Sequence, residues 1–339
     1  QPRRRARAPA LCVTLMGAEA SPQPAPAPPP SWRIRIIRGL YGLTRRLGAR
    51  FMASMAWLIS SLYFLVYPGR VKRSMRFYGA LFPGRGWWGR LACAWRQYKS
   101  FARLFVERIA LEREEEPTFH SDGWEHLEQA SAAKTGGVIV MSHVGNWEVA
   151  ARLFRRRKLQ MMIYMGIREG EEMERLQKHD LQADQLEVVA VSEGGASPLE
   201  GIKGLKFLKE GGFVSLAADC AVGTSQDRVE VDFLGGKLSV STAPFTFAMV
   251  SRRPVFVFFS LREPDGSYTI SATEPWQVRP ASRKQRAAAI RQAAQDYATL
   301  LAEKVRRYPY QWYHFDKEPL RYGDGGATAA DESAAGQGG

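Results

Sequence analysis

At 339 residues with 45% hydrophobic side chains, the chain can form one large domain or two smaller ones around a real core, which excludes a fibrous or wholly disordered protein. Its net charge of +14 is unevenly placed: residues 1–110 hold 20 of the 48 Lys+Arg but only two of the 34 acids, Glu19 and Glu107, while residues 111–339 hold 28 basic and 32 acidic side chains. Cys12, Cys93 and Cys220 lie far apart without CxxC spacing, so they supply neither a disulfide framework nor a zinc site and fit a reducing compartment.

In chain order, residues 1–31 carry "RRRAR" and a proline run and read as a disordered basic extension. Residues 32–112 read as helical. Within them "FMASMAWLISSLYFLVY", 51–67, is uncharged and flanked on both sides by arginines. As a helix it would span about 26 Å, slightly short of the roughly 30 Å hydrocarbon core. It suits an in-plane or shallow membrane anchor as well as a span, and a buried core helix is the alternative. Residues 1–50 and 70–110 hold 10 Lys+Arg each, so charge chooses no orientation. In 87–112 the residues Leu91, Trp95, Tyr98, Ala102, Phe105 and Ile109 recur at helical spacing, with Arg90, Arg96, Lys99, Arg103 and Arg108 largely between them. A concentrated basic segment beside an apolar one favours an anionic membrane surface or an acidic protein over nucleic acid, and no nucleic-acid-binding motif accompanies it.

From 113 to 322 strands alternate with helices. Strands are expected at "PTFHSDG", "GVIVMSH", "LQMMIYM", "LEVVAV", "GFVSLAAD" and "RVEVDFLGG". Helices are expected at "WEHLEQASAAK", "NWEVAARLFRRR", "EGEEMERLQKHDLQAD", "SPLEGIKGLKFLKEG" (capped by Ser197, stopped by Gly211), "STAPFTFAMVSRR" and roughly 281–307. "PVFVFFSLREPDGSYTISATE" reads as a hairpin with a Pro-Asp-Gly turn. The pattern gives an α/β fold: a central mixed, mostly parallel sheet flanked by helices, with N-terminal membrane-anchoring helices and an antiparallel edge near the end. Residues 323–339 form a Gly/Ala tail read as disordered.

In such folds ligands sit at the carboxyl ends of the strands. His143 stands there, in "MSHVGNWEVA". Gly145 permits a tight turn, Asn146 can cap the next helix, and Glu148 falls in that helix's first turn, where it can fold back onto the imidazole and orient it. No nucleophile motif such as GxSxG occurs, HExxH is absent, and His120, His126, His179 and His314 form no local metal spacing. A His–Glu pair without a protein nucleophile suggests a base that deprotonates a bound hydroxyl or amine. A capped helix beside a hydrogen-bonded core histidine is the structural alternative.

The block "GWEHLEQASAAKTGGVIVMSHVGNWEVA", 123–150, resembles the signature region of the bacterial lipid A late (secondary) acyltransferases, within the lysophospholipid acyltransferase superfamily and its glycerolphosphate-acyltransferase-like fold. "GGFVSLAAD" at 211–219, "VEVDFLGGKLSVSTAPFTFA" at 229–248 and "YPYQWYHF" at 308–315 resemble further family blocks in the same order, over roughly 70–320; the C-terminal half is closer to a less characterised branch of predicted acyltransferases. The resemblance implies that His143 is the general base and Glu148 its partner, that Asn146 and Trp147 shape the site, that Arg168 meets a donor or acceptor phosphate, and that Asp219 helps hold the polar network. Gln311 and Trp312 match the C-terminal segment, with Trp312 read as core. It further implies no cofactor or metal, and an acyl thioester of acyl carrier protein or coenzyme A as co-substrate. The acceptor would be a membrane lipid and the location the bacterial inner membrane, with the catalytic domain facing the cytoplasm. After Asp219 the chain reads "CAVGTSQDR" rather than the family's usual Gln-rich loop, so an ornithine-type or other envelope lipid stands beside a lipid A precursor as acceptor. A non-catalytic membrane-associated scaffold is the rival from another class.

Overall fold

The computed structural model describes residues 51, 53–112, 118–166, 187–191, 197–219, 228–314 and 320–321. The expected disordered ends, the helix expected at 169–184, Arg168 and Cys220 lie outside these.

The N-terminal part is helical. Residues 53–66 form α1; Tyr67 and Pro68 break it, and α2 (Pro68–Leu81) and α3 (Trp87–Glu112) follow. Proline at the first helical position starts α2 readily, because its missing N–H would have no intrahelical partner there. Then come β1 (Phe119–Asp122), α4 (Trp124–Ala132), β2 (Gly137–Met141), α5 (Trp147–Arg156), β3 (Met161–Gly166), β4 (Glu187–Val191), α6 (Pro198–Lys209), β5 (Phe213–Ala217), β6 (Arg228–Phe233), β7 (Gly236–Ser241), α7 (Ala243–Ser251), β8 (Val255–Arg262), β9 (Tyr268–Ala272), a 3₁₀ turn (Arg283–Gln285), α8 (Arg286–Arg307) and β10 (Leu320–Arg321).

The main sheet has seven strands in the order β1-β9-β8-β2-β5-β3-β4. Every neighbouring pair is parallel except β8 with β9. The expected mixed, mostly parallel sheet is therefore present. Its antiparallel hairpin is not at the edge, because β1 adds outside β9 in parallel register. A second, three-stranded antiparallel sheet, β10-β7-β6, was not foreseen. β7 hid in "GKLSVS", where small and polar residues alternate with only Leu238 and Val240 as apolar signal. Leu234 and Gly235, both at positive φ, turn the chain between β6 and β7, as a two-residue type I′ hairpin requires.

The sheet is buried on both faces, which explains the uninterrupted apolar runs of its central strands. Val138 and Val140 of β2, with Val255, Val257 and Phe259 of β8, face one cluster that includes Tyr78 of α2, Cys93 and Tyr98 of α3, Phe245 of α7 and Tyr297 of α8. The alternate residues Ile139, Phe256 and Phe258 face the other side, against Trp124 and Leu127 of α4 and Phe154 of α5. Thus α2 and α3 pack into the same core as the strands. On α3 Tyr98 and Ala102 are buried as expected and Leu91 and Trp95 only partly; the deepest positions are Cys93, Ala94 and Gln97.

Candidate active site

The register of two adjacent strands builds the site. Met141 at the end of β2 pairs with Ala217 at the end of β5. Two residues further along each chain are His143 and Asp219, so two strand ends about 4.8 Å apart deliver an imidazole and a carboxylate to one point. His143 Nδ1 lies 2.9 Å from Asp219 Oδ1, and the His143 backbone N–H donates to Asp219 Oδ2 at 2.7 Å. The indole Nε1–H of Trp312 also donates to Oδ2, at 2.8 Å. The Asp219 side chain is 1% exposed and that of His143 43%. The carboxylate is sealed in while the ring meets solvent.

Burial alone would raise the pKa of Asp219. The attraction of the His143 ring and the hydrogen bonds from His143 and Trp312 outweigh it and hold the carboxyl below the usual carboxylate range. An ionised Asp219 accepting at Nδ1 fixes the ring tautomer with its proton on Nδ1. Sequence spacing offered Glu148 as the carboxylate that orients the imidazole; in the structure Nδ1 faces Asp219. Glu148 lies in the first turn of α5, partly buried, where its backbone N–H donates to Asn146 Oδ1 at 3.1 Å. A local-spacing argument favours the carboxylate nearest in sequence; parallel strand pairing brought in one 76 residues away.

The turn that carries His143 is gripped on both sides. Asn146 N–H donates to Ser260 O of β8 at 2.9 Å. On the other side Gly145 N–H donates to Gln311 O at 2.8 Å, and Tyr313 N–H to His143 O at 3.0 Å. Gly145 has φ +81°, and a Cβ there would fall on the Ser260 carbonyl oxygen, so glycine is required on both conformational and steric grounds. Asn146 is buried and caps α5 as expected. Trp147 is partly buried and packs on the α4–α5 side of the core.

The segment 308–314 closes the site from behind. Trp312 is fully buried and its carbonyl accepts from Gln97 Nε2 of α3 at 2.6 Å. It is therefore core, as expected, and also a donor to the site carboxylate, which was not. Gln311 uses both ends of its amide on the main chain of Arg262, accepting from its N–H at 3.0 Å and donating to its carbonyl at 2.7 Å. Tyr297 donates to Met141 O at 3.3 Å, at the end of the strand that carries the histidine. Gln97 was missed because a helical apolar pattern treats a polar residue as solvent-facing. Among the described residues no group of His, Cys, Asp and Glu is placed to hold a metal ion.

A solvent-open imidazole at one strand end, braced by a sealed carboxylate at the next, defines the class: an α/β protein with an imidazole–carboxylate pair at the carboxyl edge of its sheet. The chain belongs to the bacterial lipid A biosynthesis acyltransferases, whose family model matches residues 51–318. That match spans the helices from α1 onward, the whole sheet and the strap carrying Gln311 and Trp312. No curated protein matches the chain.

Proposed function

We propose that the protein transfers a fatty acyl chain from an acyl thioester to a hydroxyl or amine of a membrane lipid, with a lipid A precursor as the first acceptor to test. The observation that carries this reading is the His143–Asp219 pair at adjacent strand ends, in a chain of an acyltransferase family. Nε2 of His143 removes the acceptor proton as the acceptor oxygen or nitrogen attacks the thioester carbonyl. The tetrahedral intermediate collapses with loss of the thiol, and the proton held on His143 passes to the leaving sulfur. No acyl-enzyme forms. Asp219 holds the Nδ1–H tautomer and balances the imidazolium that develops. Glu148 adds a second carboxylate at the same edge, where the positive end of the α5 dipole favours it. Asn146 and Trp147 shape the turn, and Arg168 is assigned to a donor or acceptor phosphate.

The donor is taken to be acyl carrier protein, which is acidic, with coenzyme A as the alternative. Arg96, Lys99 and Arg103 on α3 and Arg155, Arg156, Arg157 and Lys158 at the end of α5 are exposed and supply complementary charge. The acceptor requires a membrane surface. Among the described residues no helix is long and apolar enough to cross a membrane. In α1, however, Trp57, Leu58, Ile59, Leu62, Leu65 and Val66 are each at least half exposed. Such a face suits an in-plane anchor at the cytoplasmic surface of the bacterial inner membrane.

The test is a comparison of envelope lipids from a strain lacking the protein with the same strain expressing wild type or His143→Ala. The expected result is one acylated lipid species lost on deletion, restored by wild type and not by the variant. Loss of an ornithine-type lipid instead of a lipid A species would reassign the acceptor; an unchanged lipid profile would overturn the reading.

A further inference from the structure

The packed face of α3 carries a polar row. Gln97, Ser100 and Glu107 are three and seven residues apart, which stacks them on one side of a helix. Each meets the strap or the catalytic turn: Gln97 bonds Trp312 O, Ser100 Oγ lies 2.9 Å from the Tyr313 hydroxyl, and Glu107 reaches Asn146.

Glu107 is the anomaly among them, one of only two acids in the first 110 residues. Its Oε1 pairs with Arg262 Nε at 2.6 Å, with side chains only 17% and 26% exposed, so this is not a solvated surface pair of little consequence. Its Oε2 accepts from Asn146 Nδ2 at 3.3 Å and from the Tyr268 hydroxyl. Burial and the Glu107 carboxylate push the Tyr268 phenol upward, which keeps it a neutral donor.

These contacts close a ring. Glu107 holds Asn146; the adjoining Gly145 donates to Gln311 O; the Gln311 side chain binds the main chain of Arg262; and Arg262 returns to Glu107. His143 lies two residues from Gly145, inside the same turn. We propose that Glu107 is a positioning residue: by holding Asn146 and Arg262 together it fixes the turn that aims His143 at the acceptor. The inference rests on His143 being the base, and it assigns to α3 a share in the catalytic geometry.

The test uses the full chain with ¹⁵N-labelled histidine and an acyl-transfer assay with acyl carrier protein thioester and lipid acceptor. Glu107→Ala should move the His143 ring resonances, assigned by comparison with His143→Gln, and leave those of His126 in place. Its kcat should fall about tenfold or more while KM for both substrates stays within about twofold, the signature of misaim rather than lost binding. Glu107→Gln, which keeps an acceptor for Asn146, should recover most of the rate. Should Glu107→Ala fail to fold, Asn146→Asp, which keeps the helix-cap oxygen but has no N–H to donate to Glu107, should show the same signature. Unmoved His143 resonances, or a rise in KM with kcat unchanged, would overturn the proposal. Absence of acyl transfer by wild type would instead count against the functional reading, and the resonances would still decide the positioning claim.

Discussion

Asp219 illustrates how three donors make a buried carboxylate tolerable. The ring of His143, its backbone N–H and the Trp312 indole all point at it, so its ionised form is matched rather than stranded. Asp219→Asn would keep the shape but allow an amide N–H to face Nδ1, favouring the wrong tautomer. We expect a fall in kcat of about 10²–10⁴-fold, measured beside Glu148→Gln. A smaller effect at Asp219 than at Glu148 would return the orienting role to Glu148. Trp312→Phe removes one donor at a net cost of about 1–2 kcal/mol, so about a tenfold loss of rate is expected, with the fold retained. His143, Gly145 and Asn146 were legible in the sequence because the turn chemistry is local. The partner on Nδ1 was not, because it depends on which strand lies beside β2, and strand order is a property of the whole sheet.

At the scale of elements, α6 offers a contrast within one helix. It begins with a complete capping box between Ser197 and Glu200, the local signal that made its start readable. It holds two interior glycines that differ only in surroundings. A Cβ at Gly201 meets nothing within 4 Å, whereas at Gly204 it would collide with the Tyr164 hydroxyl and approach Phe247 to 2.9 Å. Gly201→Ala should therefore stabilise by about 0.5–1 kcal/mol through helix propensity. Gly204→Ala should destabilise despite the same propensity gain, because α6 would have to move off β3 and α7. Denaturant midpoints of the two variants check this, and a stabilised Gly204→Ala would show that the close approach is soft. Such packing distances are silent in the sequence, as was β7, whose residues carry too little alternating hydrophobicity to announce a strand.

For the whole molecule, two groups beside the site, His314 and Asp219, weaken stability in acid. His314 meets Phe77 edge-on and Trp312 at a tilt, with ring centroids 4.7 and 4.2 Å apart, and burial pulls its pKa down to about 4. The unfolded chain, at about 6.5, binds the proton more tightly. Stability is thus complete above about pH 6.5 and declines as the pH falls toward 4. Asp219 acts lower: its carboxyl is depressed in the folded state, so its contribution is present above the ordinary carboxylate range and fades as the pH falls through the folded value. Thermal midpoints between pH 7 and 4 should fall for wild type and fall less for His314→Phe; parallel slopes would remove His314 from the account. The exposed apolar face of α1 predicts that Leu58, Leu62 and Leu65 changed together to Ser weaken binding to vesicles containing anionic lipid without lowering the thermal midpoint. The α/β class was readable from alternating periods, and the amphipathic pattern of α3 suited packing on the domain, yet the place of α2 in the same core was not readable, since a helical pattern alone does not reveal what it packs on. The most direct test of the central claim is turnover by purified His143→Ala with acyl carrier protein thioester and lipid acceptor, together with its thermal midpoint. A folded variant that has lost acyl transfer by about 10²-fold or more is the predicted result, and near-wild-type turnover would contradict the account.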